Sequence, residues 1–214
     1  MAHDQLSRRR WLESVSIIGL SLLAPSGVRT AVAQSSPQSY LDALRAGGCV
    51  VLVRHALTTP GIGDPPGMRL DDCSSQRDLS AEGRAQSRRL GQWFRAHGLR
   101  PQAVRSSQWC RCLHTAREAF HQRQEGPQVP ITPWVALNSF FQGHGSRDQQ
   151  LKDALSAARI IHERRKTGEF EVWVSHQVVI SALTGHACAM GEMIVAQSQG
   201  PDQTLRVLAS GLVF

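Results

Sequence analysis

Two short apolar runs, CVVLV at 49–53 and FEVWV at 170–174, each give way to polar residues ending in a histidine, His55 and His176. Runs of this length with no alternating polar face fit strands covered on both sides, as in the middle of a parallel sheet. Between them the pattern changes to the helical period. Ser80 is placed to cap a helix with Glu82 in its first turn, and Leu90, Trp93, Phe94 and His97 form one stripe before Gly98 and Pro101 stop it. QAVRSS reads as a short strand, WCRCLHTAREAF as a helix, and a strand near ITPWVAL leads into a glycine-containing loop. Leu151, Ala154, Leu155, Ala158 and Ile161 mark a further helix, SHQVVISALTGHA opens another, and short strands near MIVAQ and LRVLA finish the chain. Strands alternating with helices predict an α/β fold with a mostly parallel central sheet between two helical layers. In such sheets function gathers at the carboxyl ends of the strands.

Residues 1–33 are set apart from this pattern. SRRRWLE at 7–13 supplies adjacent arginines, VSIIGLSLL at 15–23 is apolar, and AVA at 31–33 offers small residues for cleavage. The apolar run is about half the ~20 residues of a membrane-spanning helix, so no stable span is expected. SRRRWLE resembles the twin-arginine export consensus, which implies a periplasmic or secreted protein beginning at Gln34. Residues 34–47 are expected to form a polar flexible leader to about residue 40 and then a short helix in LDALRAGG, with the domain proper at 48–214.

With 41% hydrophobic residues in 214, the chain has enough apolar material for one substantial core and does not have the profile of a disordered protein. Its formal charge of +7 is spread over scattered arginines, with no basic run after the N-terminus. A small anion therefore suits it better than nucleic acid or a membrane surface. Trp93, Trp109, Trp134 and Trp173 are expected in the core or a pocket wall, not as a stacking platform for bases. The five cysteines, Cys49, Cys73, Cys110, Cys112 and Cys188, leave at least one thiol unpaired within a chain, and spacing alone assigns no disulfide. Cys110 and Cys112 match no zinc spacing, and His144, His162 and His186 have no paired ligand spacing, so no metal site and no cofactor are expected.

A histidine after a strand is ordinarily structural. Two in matching contexts are less ordinary, and if their strands are neighbours the loops LVRHA and VWVSHQ meet at one sheet edge. Arg54 adjoins the first histidine, and Arg111, in SSQWCRCLHTA, follows a strand at the start of a helix. Surface solvation is the common fate of an arginine. Planar permanent cations beside free helix N–H groups nevertheless suit phosphate oxygens, and a neutral imidazole can serve as nucleophile without a strong base.

In this order, LVRHA at 52–56, RDLSAEGRAQ at 77–86, SSQWCRCLHTA at 106–116 and VWVSHQ at 172–177 resemble the histidine phosphatase superfamily, which includes the cofactor-dependent phosphoglycerate mutases. The resemblance covers about residues 48–196 and implies a three-layer α/β/α sandwich of the phosphoglycerate mutase type. It implies His55 as phosphoryl acceptor, Arg54, Arg111 and His176 around the phosphoryl group, and Thr58 and Gln177 as further phosphate-binding positions. The partner implied is a small phosphorylated substrate; oligomeric state is left open.

The departures concern contacts and protons. Ala56 stands in place of the usual glycine, and Gly61 where many members carry a phosphate-contacting asparagine. Where many members place a glutamate donor this chain has Asn138, and where another branch has aspartate after the second histidine it has Gln177. Asp64 and Asp148 are the candidate proton donors, although aspartates in such loops ordinarily cap or face solvent. FFQGHG reads equally as a flap or as a plain glycine turn. Phosphatase activity is the leading expectation, a non-catalytic phosphate-binding module the alternative, and a phosphoryl mutase the less favoured third.

Overall fold

A computed structural model describes residues 35–121, 128–141, 145–164, 166–201 and 203–214. The expected export signal and residues 142–144 of FFQGHG, His144 included, lie outside the described residues.

The elements run α1 (Pro37–Ala46), β1 (Cys49–Arg54), α2 (Ala81–Ala96), β2 (Ala103–Ser106), α3 (Cys110–Phe120), β3 (Ile131–Pro133), α4 (Arg147–Arg164), β4 (Phe170–Ser175), α5 (Gln177–Thr184), β5 (Glu192–Gln197) and β6 (Arg206–Val213). One sheet holds the strands in the order β3-β2-β4-β1-β5-β6. The pairs β1/β4, β2/β4 and β2/β3 are parallel, and β5 and β6 extend the sheet antiparallel. The two apolar runs of the sequence are thus adjacent central strands.

Alternate residues of these strands serve different layers, as strand geometry requires. Val51, Val53, Val172 and Val174 pack with Tyr40 and Leu44 of α1, Leu90 and Phe94 of α2, and Cys112 and Ala116 of α3. Val50, Leu52 and Trp173 face Ala154 and Ala158 of α4 and Val179, Ile180 and Leu183 of α5. The result is the expected three-layer sandwich.

Two local expectations change. The stretch to residue 40 is no flexible leader, because α1 already begins at Pro37, with Ser36 as its cap and proline in the first turn. Ser35 is also tied to Ser210 of β6. The strand near ITPWVAL stops at Pro133 after three residues and passes into a 3-10 turn at Val135–Leu137. Proline has no N–H to continue the ladder. Ser80 caps α2 as expected, its hydroxyl accepting from Gly83 N–H at 3.0 Å.

Candidate active site

Parallel register places the two histidines side by side. Arg54 pairs with Ser175 at the ends of β1 and β4, and His55 N–H continues the ladder to the Ser175 carbonyl at 2.9 Å. The imidazoles of His55 and His176 then meet edge to face, with centroids 5.5 Å apart. Both are buried, at 4% exposure. Sheet geometry alone is enough to bring them together.

Each ring is held in one tautomer. His55 Nδ1 lies 2.9 Å from its neighbour's carbonyl, Ala56 O, which only accepts, so Nδ1 carries the proton and Nε2 keeps its lone pair. The orientation of Asn138 is set by Gln108 N–H, which donates to Oδ1 at 2.8 Å. That oxygen also accepts the Ser107 hydroxyl at 3.1 Å, so Ser107 Oγ accepts from His176 Nε2–H at 2.9 Å. Cys112 Sγ lies alongside, 3.4 Å from the same nitrogen. Among the described residues, His176 Nδ1, which keeps its lone pair, has no hydrogen-bond partner.

Burial, followed by the charges of Arg111, Arg54 and Arg77, pulls the His55 pKa down to about 3, against the opposing effect of the Ala56 hydrogen bond. Burial chiefly, then His55 and the two arginines Arg111 and Arg54, also holds His176 well below its ordinary value. Both rings are neutral near pH 7.

Arg111, in the first turn of α3, is only 5% exposed. Its Nη1 donates to both Asp64 oxygens, at 2.7 and 3.0 Å. Arg54 Nη1 donates to Cys188 O at 2.8 Å. The Nε groups of Arg54, Arg111 and Arg77 are buried with no hydrogen-bond partner among the described residues. Buried donors are ordinarily satisfied, so three bare guanidinium N–H groups beside two neutral histidines call for an anion.

The sequence from 50 to 144 matches the model of the histidine phosphatase superfamily, branch 1. Among solved structures, the chain is similar to YhfR of Bacillus stearothermophilus, at 20% identity and TM-score 0.53, over 78% of this chain and 98% of that one. It is also similar to a putative alpha-ribazole-5'-P phosphatase of Escherichia coli, at 20% identity and TM-score 0.51, with the same coverage of 78% and 98%. A phosphoserine phosphatase mutant of Entamoeba histolytica in complex with phosphoserine aligns at 12% identity and TM-score 0.50, over 76% of this chain and 95% of that one. At these identities the likeness is one of fold. A search of the curated proteins finds no match.

Of the residues singled out in the sequence, His55 and His176 are in ring contact, and the charges of Arg54 and Arg111 bear on both. Thr58 is bridged through its backbone to Leu79, and Gln177 is the exposed first residue of α5. Among the described residues no hydrogen bond joins either side chain to the four. Ala56 keeps the turn tight, its N–H donating to Thr115 Oγ1 at 3.0 Å.

Asp64 lies inside the site. Besides Arg111, it accepts from Trp109 Nε1–H at 3.1 Å and Arg77 N–H at 3.0 Å. Burial works to raise its pKa, but the Arg111 hydrogen bonds and charge, with help from Arg77 N–H and Trp109, outweigh it and hold the carboxyl below the usual range. Asp64 is therefore an ionised anchor for Arg111, not a ready proton donor. Asp148 sits in the first turn of α4, its side chain 92% exposed and paired with Arg147. Asn138 orients His176 through Ser107. Among the described residues, no group of three His, Cys, Asp or Glu is placed to hold a metal ion.

Sequence reasoning missed Arg77, Ser107 and one disulfide. Cys73 and Cys110 are bridged, fastening the 57–80 loop to the start of α3, while Cys49, Cys112 and Cys188 are buried thiols. The serine pair before Arg111 and the segment beginning RDLS were visible signals; the pairing of Cys73 with Cys110 had none.

Proposed function

We propose that the chain hydrolyses phosphomonoesters through a phosphohistidine on His55, with no metal ion in the reaction. The supporting observation is the fixed Nδ1–H tautomer of His55, which presents Nε2 beside the bare Nε–H groups of Arg54 and Arg111. Guanidiniums stabilise charge on the equatorial phosphoryl oxygens while Nε2 attacks phosphorus and the bond to the leaving oxygen breaks. Positive charge then develops on the ring, and the Ala56 carbonyl accepting from Nδ1–H stabilises it. His176, oriented through Ser107, turns Nδ1 towards the phosphoryl site, where it donates to a phosphoryl oxygen once it takes up the proton that the bound anion favours. Water next attacks phosphorus, the P–N bond breaks, and His55 returns neutral with release of inorganic phosphate.

Among the described residues, no side chain of the site is a ready acid for the leaving group. Substrates whose leaving group departs without a proton fit best, such as aryl phosphates, acyl phosphates or phosphoramidates. Turnover of an aryl phosphate by the purified protein, abolished in His55→Ala, is the expected result. Full activity in His55→Ala would overturn the proposal.

The non-catalytic alternative is favoured by one observation, Asn138 in the place of an acid. It predicts phosphate binding by calorimetry with no hydrolysis across a broad phosphomonoester panel.

The disulfide supports an oxidising compartment and hence export. N-terminal sequencing of the exported protein is expected to begin at Gln34; an intact Met1 would contradict this.

A further inference from the structure

We propose that Arg77 is a third guanidinium ligand of the phosphoryl group, an inference that rests on the phosphate-site reading above. Arg77 lies four residues before α2, in a segment held to α3 by two contacts and to Asp64 by a third. Cys73 is disulfide-bonded to Cys110, Gln76 Oε1 accepts from Cys110 N–H at 2.9 Å, and Arg77 N–H donates to Asp64 Oδ1 at 3.0 Å. That same carboxylate oxygen takes Arg111 Nη1, so the backbone of Arg77 and the guanidinium of Arg111 meet on one atom.

The Arg77 side chain crosses Gly61. Its Nη1 donates to the Gly61 carbonyl, and a Cβ at Gly61 would stand 3.6 Å from Arg77 Cδ. Gly61 has φ +135°, a conformation that side-chain-bearing residues rarely adopt, so the arginine covers a position suited to glycine. The space over Gly61 holds a cation contributed from elsewhere in the chain, where the resemblance led to an expected amide.

Arg77 Nε is buried without a partner among the described residues, as in Arg54 and Arg111. A bond to Gly61 O explains one end of the guanidinium as a strut but leaves the Nε edge desolvated with no partner among the described residues. The positive charge of Arg77 also bears on His55, and it interacts unfavourably with Arg111 and Arg54. Three cations crowded together repel one another, and Asp64, with Glu192 acting on Arg54, offsets them only in part. With both histidines neutral, net positive charge remains, which suits a phosphoryl anion.

The test is calorimetric binding of inorganic phosphate to the full-length protein at pH 8, where the dianion dominates. Loss of a charge-assisted contact predicts that Arg77→Ala weakens binding about 10- to 100-fold, with Arg77→Lys in between because it keeps the charge but lacks the Nε edge. Susceptibility of the 57–80 loop to chymotrypsin should match wild type in both variants. Arg111→Ala is run in parallel. If Arg111→Ala also leaves phosphate binding unchanged, the phosphate-site reading itself falls. If Arg111→Ala abolishes binding while Arg77→Ala stays within twofold of wild type, or if the Arg77→Ala loss is accompanied by proteolytic opening of the loop, only the role of Arg77 is overturned.

Discussion

The ends of β1 and β4 and the loop at 57–80 supply the same site by different means. His55 and His176 arrive by sheet register: adjacent parallel strands of six residues end together, and ladder hydrogen bonds do the positioning. Asp64 and Arg77 arrive on a loop with little regular structure, held by a disulfide, a buried ion pair and side chain to backbone bonds. Reactive groups thus sit on the stiffest part of the fold, and the groups that balance charge sit on the part most dependent on individual contacts. Perturbing a single contact should leave the first region intact and disable the second.

Arg111, where the regions meet, gives the largest effect. Arg111→Ala strands the Asp64 carboxylate, whose side chain is 10% exposed, without its cation. We expect a stability loss of roughly 3–5 kcal/mol by urea unfolding and a fall in kcat of about 10²-fold or more. A loss within 1 kcal/mol would show that the loop is held by something else.

Removing the disulfide by Cys73→Ser with Cys110→Ser comes next. The bridged residues are 37 apart in sequence, and loop-closure entropy predicts a cost of about 4 kcal/mol. Phosphate affinity should fall, while hydrogen exchange of β1 and β4 amides measured under native conditions should open the loop first. Simultaneous loosening of strands and loop would erase the distinction.

Acid probes the strand ends. Because the folded-state pKa of His55 is lowered to about 3, the unfolded chain binds the extra proton first, and stability falls as pH drops from about 6.5 towards 3. Between pH 6.5 and 5 His55 alone contributes a loss of about 2 kcal/mol, and His176 acts in the same direction. Denaturant midpoints independent of pH across this window would contradict the neutral, buried pair.

The smallest expected effect is that of Ser107→Ala, which frees His176 Nε2 from its acceptor. A decrease of about tenfold in kcat with little change in KM is expected, the cost of one mispositioned hydrogen-bonding group. An unchanged kcat would remove the orienting role of the Ser107–Asn138 network.

The same contrast explains what could be read in the sequence. Continuous apolar runs marked β1 and β4, the Ser80 cap marked α2, and histidines at matching strand ends marked the site, because each is a local pattern with a periodic cause. Asn138 was visible as a missing acid, but its positive role depends on contact with Gln108 and Ser107, 30 and 31 residues away. Asp64 looked like a loop carboxylate until folding placed Trp109 and Arg111 around it. Arg77 was hidden for the same reason, since its partners Gly61 and Asp64 are 16 and 13 residues distant and no spacing rule joins them. The early start of α1 was legible in Ser36 and Pro37, a cap followed by a first-turn proline.

Phosphate on His55 is the claim on which the rest depends. Rapid acid-free quenching during turnover of a ³²P-labelled aryl phosphate is expected to trap a base-stable, acid-labile label on the peptide containing His55, absent in His55→Ala. Steady turnover with no such label in the wild-type protein, or with the label undiminished in His55→Ala, would contradict it.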